Sequence, residues 1–201
     1  MVARGDVLMN EFEFVFSLFG LLLGFSLIEV LGGLAKAVEA KVRPDTEHAG
    51  PIRIGWLTPL LGVFVMLDLI SFWSASWLAR DFIVVSGPVL FGGFLFAGSY
   101  YLAAHLVFPQ NPRTERDLDA HYFRVRRFVL GTLTALLALQ LAYWLSVPEL
   151  AKNFKNPFLI GWLGLSFALL AAGMLVRSRR ASAAVLSLLI AQYLYDYLIR
   201  G

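Results

Sequence analysis

The chain has no cysteine among its 201 residues, which excludes disulfides, thiolate metal sites and cysteine nucleophiles. It also has little charge, because Asp, Glu, Lys and Arg together make up 15% of the sequence, against about 25% in an ordinary globular protein. Its formal net charge of +3 is small and its cations are dispersed, so we expect no nucleic-acid partner. No polar connection exceeds about twenty residues, which is too short for a separate soluble domain.

Catalytic and targeting motifs are missing as well. The sequence contains no HExxH zinc motif, no GxSxG nucleophile turn and no GxxxxGK[ST] phosphate loop. We therefore expect no cofactor and favour a non-catalytic protein. The N-terminal segment MVARGDVLMNEFE is more acidic than basic, and no small-residue cleavage site follows a short apolar core. We expect the first apolar run to be retained rather than removed as a signal peptide.

Hydrophobic residues are abundant, at 59% of the chain, against about 45–50% in ordinary proteins. They form six runs, each long enough to cross roughly 30 Å of hydrocarbon as a helix that rises about 1.5 Å per residue. We predict an all-α, polytopic integral membrane bundle of six transmembrane helices in a single domain (residues 1–201), placed in the cytoplasmic membrane if the source is bacterial. The predicted spans are residues 12–35, 54–77, 82–108, 123–147, 158–176 and 181–199.

The Lys and Arg residues predict the orientation of this bundle. With six spans, the first, third and fifth loops lie on one side and carry 12 of the 17 Lys and Arg residues. Short loops rich in Lys and Arg stay cytoplasmic, so both termini are predicted to face outward. Most Trp and Tyr residues fall near the span ends, the depth that amphipathic rings prefer.

Few ionisable side chains lie deep inside the spans, and each needs a partner, a proton or water, because a charge at the centre of a bilayer costs about 2.5–3.5 kcal/mol on insertion scales. Glu29 and His105 are expected toward the cytoplasmic side, and Asp68 and Asp196 toward the outer side. The candidate ion-pathway residues are Glu29, Asp68, His105, Asp196 and Gln192.

Glu29 is the strongest of these candidates. Ser26 lies three positions before it, and Gly32 and Gly33 lie three and four after it, so a helix gathers these residues near one face. Small neighbours permit close approach by another helix, which suits either packing or an ion site. Two interpretations stay open: Glu29 binds or shuttles a cation, or it is hydrogen-bonded across a helix interface.

The other candidates also have structural explanations that need no ion pathway. Asp68 is flanked on its own helical face by Phe64 and Phe72, and Pro59 predicts a bend near the start of its span. His105 lies one turn before the third span ends, and an interfacial role is favoured unless it meets Glu29.

Gln192, Asp196 and Arg200 are spaced four residues apart, so they form one polar stripe on the last span. An interfacial anchor at the helix end explains this stripe more simply than an ion path does.

The third loop contains weak candidates for a metal site, namely Asp117, Asp119 and His121 beside Glu115. Carboxylates with histidine bind divalent metals, but helical spacing separates alternate residues onto different faces. Pairing with nearby arginines is the easier explanation. These arginines are also expected to meet anionic lipid headgroups; they are Arg113, Arg116, Arg124, Arg126 and Arg127.

Glycines are frequent in the spans, where small residues let helices approach closely. The expected packing positions are Gly20, Gly24, Gly32, Gly33, Gly92, Gly93, Gly131, Gly161 and Gly164.

Three classes of function fit these observations. The first is a small channel or transporter for an inorganic cation or a proton, with Glu29 near the inner mouth, Asp68 toward the outer mouth, and a homo-oligomer to complete the pore. The second is a non-catalytic membrane subunit or assembly factor of a larger complex, which the missing chemistry and short loops favour. The third is an intramembrane enzyme that acts on lipid through the residues of the third loop.

Overall fold

The computed structural model describes residues 11–42, 53–111, 115 and 117–200, with the side chains of residues 11, 12, 153 and 200 left out. Its regular structure is helical throughout these ranges. The helices are α1 (Glu11–Val42), α2 (Leu57–Leu78), α3 (Gly87–Val107), α4 (Leu118–Ser146), the short α5 (Pro148–Ala151), α6 (Pro157–Leu175) and α7 (Arg179–Tyr195). Single turns at Arg80–Phe82, Lys152–Lys155 and Asp196–Arg200 complete the described elements.

Six of these helices are long and apolar enough to cross a membrane, and they coincide with the six predicted spans. The all-helical architecture is therefore confirmed. Three bounds differ from the prediction by five residues or more, and at one of them α4 begins at Leu118 instead of residue 123. α1 runs seven residues beyond residue 35, because its charged residues are good helix formers. α3 begins at Gly87 instead of residue 82. Pro88 then lies in the first turn of the helix, the position that suits proline.

Pro59, where the sequence predicts a bend, lies inside α2 and does not end it. It is the third residue of the helix, within the first turn, where backbone N–H groups have no partner inside the helix. The missing N–H of proline therefore costs no hydrogen bond at this position.

The six long helices run alternately up and down. At one end, which we call the basic end, α2, α4 and α7 begin, and Arg53 forms a backbone bridge with Asp117. At the other, the aromatic end, α3 and α6 begin, and the Tyr143 hydroxyl donates to the carbonyl of Phe82 over 3.1 Å. The first contact joins the segments that precede α2 and α4, and the second joins the end of α4 to the turn that precedes α3.

The helix α2 is central, because it packs against α1, α3, α4 and α7. α1 packs chiefly on α3, whereas α6 lies between α4 and α7. The most deeply buried large side chains come from α2 and α4, and they include Phe64, Leu61, Tyr122 and Leu130. The core therefore lies along α2, and α1, α3, α6 and α7 form the outer layer.

The glycine prediction holds at two positions and is wrong at several others. A Cβ at Gly33 would overlap Phe108, and one at Gly93 would overlap Phe19, so both glycines permit close helix contact. The positions with open space around the missing Cβ, and hence without a packing role inside this bundle, are Gly24, Gly32, Gly92, Gly161 and Gly164.

Candidate functional site

Asp68 lies in the middle of α2 and is 7% exposed. The Tyr100 hydroxyl of α3 donates to Asp68 Oδ2 over 2.6 Å, and the Tyr193 hydroxyl of α7 donates to Oδ1 over 2.5 Å. A buried carboxylate costs free energy unless its oxygens are hydrogen-bonded. The two phenols satisfy both oxygens, so Asp68 joins α2 to α3 and α7.

Glu29 also has two partners on α3, and His105 is one of them. The Tyr101 hydroxyl donates to Glu29 Oε1 over 3.0 Å, and His105 Nδ1 lies 3.0 Å from Oε2. On the other side of the ring, the amide nitrogen of Gln110 lies 2.8 Å from His105 Nε2. With Gln110 donating to Nε2, the imidazole carries its hydrogen on Nδ1 and donates it to Glu29. We call Glu29, Tyr101, His105 and Gln110 the Glu29 cluster.

The Glu29 cluster lies at the surface of the bundle. The side chains of Glu29 and His105 are 31% and 38% exposed, and the neighbouring Ile28 and Leu102 are exposed apolar residues. Among the described residues, no third helix covers the pair. The Glu29–His105 pair lies between α1 and α3. Glu29 precedes Lys36 on α1 by about 10 Å along the helix axis.

Two glycines flank this pair. Gly32 lies one turn after Glu29, and Gly98 lies one turn before Tyr101; a Cβ at either position would meet only open space. The surface therefore has a charged centre with a shallow depression on each side. We call it the α1–α3 face, formed by Ile28, Glu29, Gly32, Gly98, Leu102 and His105.

Tyr100 and Tyr101 are consecutive residues, so their side chains leave α3 about 100° apart. Tyr100 reaches Asp68 inside the bundle, whereas Tyr101 reaches Glu29 at its surface. The bundle has a cavity near its basic end and another near its aromatic end. Neither Glu29 nor Asp68 lines either of them. Glu29 and Asp68 are thus separate hydrogen-bonded sites on different sides of one helix.

The first cavity, of about 390 Å³, lies at the basic end. His105 and Gln110 of the Glu29 cluster line it, together with Glu115 and His121. His121 Nδ1 lies 2.6 Å from Glu115 Oε2, and its Nε2 donates to the carbonyl of Leu106 over 3.1 Å. The Glu115–His121 pair and the His105 member of the Glu29–His105 pair therefore border this cavity.

The weak metal candidates serve as structural links at the basic end. Asp117 caps the start of α4 by accepting from the N–H of Ala120, and Asp119 Oδ1 accepts from the N–H of Leu57 over 3.0 Å. Arg179 of α7 reaches both carboxylates, at 2.9 Å from Asp117 and 3.4 Å from Asp119. Within the described ranges, no group of three or more metal-binding side chains meets, so ion pairing accounts for this cluster.

The charge of Asp117 depends on this network. Partial burial alone would raise the pKa of the Asp117 carboxyl, but the hydrogen bond from Arg179, with those from backbone N–H groups, lowers the pKa below its ordinary value of 3.8. The folded state thus favours the ionised form of Asp117.

Arg126 departs from the expectation for arginines of the third loop. It is 4% exposed, and its guanidinium donates to the carbonyls of Gly173 and Val176 at the end of α6. A cation stabilises the carbonyl end of a helix dipole, and the Phe123 ring lies 4.8 Å from the guanidinium carbon. Arg126 therefore caps α6 inside the bundle and does not face a lipid headgroup.

Gln192 and Asp196 join α7 to α6. The Gln192 amide donates to the carbonyl of Trp162 over 3.0 Å and lies 2.7 Å from the Ser166 hydroxyl oxygen. The Trp162 indole donates to Asp196 Oδ2 over 2.8 Å. This geometry favours the helix-end anchor, while the side chain of Arg200 lies outside the described residues.

Sequence reasoning missed the phenols that hold the two acids, because nothing in the spacing of Tyr100, Tyr101 or Tyr193 relates them to distant carboxylates. Gly55 was missed too. It has φ +58°, and a Cβ there would overlap the Asp119 carboxylate. Gly55 falls inside the second predicted span, residues 54–77, whereas α2 begins only at Leu57.

Comparisons of the chain with protein-family models, with curated proteins and with solved structures find no match. Function is therefore argued from the geometry of the site.

Proposed function

We propose that the chain is an integral membrane protein whose six long helices span the bilayer, with the basic end in the cytoplasm and both termini outside. The length and apolar composition of the helices support this placement, and the Lys and Arg bias of the loops supports the orientation. The exposed Arg124, Arg127 and Arg177 at the basic end then lie at the depth of anionic headgroups.

Within that membrane, the chain acts as a non-catalytic subunit of a larger complex and binds a helix of its partner at the α1–α3 face. The observation that carries this proposal is the half-exposed Glu29–His105 pair on the outer surface of the bundle. Ionisable residues in spans almost always face a bundle interior, water or one another. A neighbouring helix would turn this surface into an interior.

The glycines of the face support the same proposal. Helices in membranes associate through small residues that let backbones approach and through polar side chains that bond across the interface. Gly32 and Gly98 leave open space on the two sides of Glu29, and the oxygens of the Glu29 carboxylate and of the Tyr101 hydroxyl have lone pairs that can accept a further hydrogen bond.

Site-specific photo-cross-linking in the native membrane tests this proposal. A photoreactive amino acid at Ile28 or Leu102 should give one discrete cross-linked product, whereas the same group at the exposed Leu188 of α7 should not. The product should weaken in Glu29→Gln and in Gly32→Leu, which fills the depression without meeting a neighbour. The matched control Gly161→Leu, at another open glycine, should leave it unchanged.

Equal products at both faces, or products that ignore Glu29→Gln and Gly32→Leu, would contradict the proposed partner contact. The mass of the product separates the kinds of partner, because a second copy of the chain adds 22.4 kDa and another subunit adds a different mass.

Movement of a cation or a proton is the second candidate function. One observation favours it: the hydrogen-bonded series from Tyr101 through Glu29 and His105 to Gln110 ends at the cavity of the basic end. Flux into liposomes that contain the purified chain should then fall in Glu29→Gln more than in Asp68→Asn, because Asp68 lies outside this series. Unchanged flux in Glu29→Gln would remove the Glu29 cluster from any pathway.

A further inference from the structure

The second cavity of the bundle, of about 290 Å³, lies near the aromatic end, between α1, α2, α3 and α4. It is about twice as large as an engineered apolar cavity of about 150 Å³ that holds benzene. Its walls are mostly aromatic and aliphatic, and include a stack of Phe72 on Phe96 with ring centroids 4.2 Å apart. A space with such walls does not fill with ordered water.

The polar side chains in the wall are few, namely Trp73, Ser76, Gln140, Tyr143 and Trp144, and two of them donate to backbone carbonyls of the protein. The Ser76 hydroxyl donates to the carbonyl of Phe72 over 2.9 Å, and the Tyr143 hydroxyl donates to that of Phe82. The cavity therefore offers little to a polar ligand, and an apolar one fits its chemistry.

The cavity opens sideways, toward the surroundings of the bundle. Gly92 of α3 and Leu139 of α4 both line it and are both exposed, and a Cβ at Gly92 would meet only open space. Deeper in, Leu23 and Ala97 line the same cavity although they are buried. In a bilayer, the medium at this lateral opening is hydrocarbon.

A cation lies beside the cavity at the aromatic end. Ala79 and Ile83 both line the cavity, and the turn between them carries Arg80. The Arg80 guanidinium is stacked over the Trp77 ring at 4.7 Å and is only loosely paired with Asp81, at 3.6 Å. A phosphate at headgroup depth would find its counter-charge here.

From the sideways opening, the apolar depth and the cation at the rim, we propose that this cavity binds one acyl chain of a phospholipid, with the lipid phosphate beside Arg80. The site requires that the six helices span a bilayer, but it does not depend on the partner contact at the α1–α3 face. The two sites lie on different surfaces, so each can fail alone.

Photolabelling tests the proposal on the whole purified chain. The probe is a phospholipid with a diazirine in the middle of one acyl chain, present as a small fraction of phosphatidylethanolamine–phosphatidylglycerol vesicles. Adducts should form on Leu23 or Ala97, because only a chain inside the cavity can reach these buried residues. Adducts confined to outward-facing residues such as Phe94 or Leu188 would overturn the proposal.

A matched pair of variants sharpens the test. Gly92→Phe should block the opening and reduce labelling of Leu23 and Ala97 several-fold, whereas Gly161→Phe, at an equally open helical glycine outside the cavity, should not. Added phospholipid should raise the unfolding temperature of the wild type and of Gly161→Phe in detergent, because a ligand of the folded state stabilises it. An equal rise in Gly92→Phe, together with unchanged labelling, would show that the cavity is not the lipid site.

Discussion

The Tyr100 hydroxyl lies 2.6 Å from Oδ2 of the buried Asp68. With Tyr193 on the other oxygen, it converts an acid that hydrocarbon does not tolerate into a link between three helices. The next residue on α3, Tyr101, holds Glu29 at the surface in the same chemical way. The helix α3 therefore supplies one phenol to each acid. Tyr100 reaches Asp68 in the closed interior, whereas Tyr101 reaches Glu29 on the exposed surface.

Removal of either phenol from Asp68 should destabilise the bundle. Tyr100→Phe and Tyr193→Phe each take one donor from a buried carboxylate, a change that costs about 1–3 kcal/mol. Unfolding in detergent, followed by tryptophan fluorescence, measures the loss. Tyr195→Phe, at a partly exposed ring, is the control and should change stability little. If all three variants match the wild type, the phenols do not stabilise Asp68.

Gly55 should not tolerate a side chain. Its left-handed φ costs an L-residue roughly 1–2 kcal/mol, and a Cβ would also push against the Asp119 carboxylate. Gly55→Ala should therefore lower the unfolding midpoint. Gly164→Ala, in the open interior of α6, should leave it unchanged or raise it, because alanine favours helix. A Gly55→Ala variant as stable as Gly164→Ala would show that neither the backbone angle nor Asp119 constrains this loop.

The charge on Asp117 should contribute to stability above the ordinary pKa of aspartate. Since the pKa of Asp117 is lower in the folded protein than in the unfolded one, acidification removes its contribution as pH falls from about 4 through the folded pKa. Asp117→Asn keeps a residue that caps helices well and removes the charge together with one of the two acceptor oxygens, which leaves Arg179 without this charged partner. Unfolding midpoints measured from pH 7 down to strongly acidic pH should therefore differ between wild type and variant at neutral pH and converge in acid.

Asp81→Asn, at an exposed carboxylate, is the control for this pH series. It should follow the wild-type curve throughout. A constant difference between wild type and Asp117→Asn at every pH would mean that the charge of Asp117 is not responsible.

Arg126 should be the most costly arginine to remove from α4. Arg126→Met leaves the last carbonyls of α6 without their charged donor, and hydrogen bonds to charged groups contribute about 1.5–3 kcal/mol. Arg127→Met, at the exposed neighbouring position, should cost little. Thermal unfolding of the two variants side by side measures the difference, and equal stability would contradict the capping role.

Periodicity and composition predicted the number and approximate extent of the long helices, because length and hydropathy are local properties of the sequence. They also identified Asp68 and Glu29 as the acids that need partners. The partners themselves could not be predicted. Tyr193 lies 125 residues from Asp68 along the chain, and no spacing rule relates residues of different helices.

Burial was the second property that sequence could not supply. Arg126 and Arg127 are adjacent and chemically identical, yet one caps α6 inside the bundle and the other is exposed. Their difference depends on where α6 ends relative to α4. The open and closed glycines differ for the same reason: Gly93 contacts Phe19, whereas Gly92 has open space beside it.

Native mass spectrometry of complexes released directly from the cell membrane tests the partner contact at Glu29 most directly. We predict that the wild-type chain appears mainly in a particle heavier than 22.4 kDa by at least one further polypeptide, and that Glu29→Gln shifts it toward the mass of the single chain. Wild-type protein found only as the single chain, or a particle that Glu29→Gln leaves intact, would contradict the account.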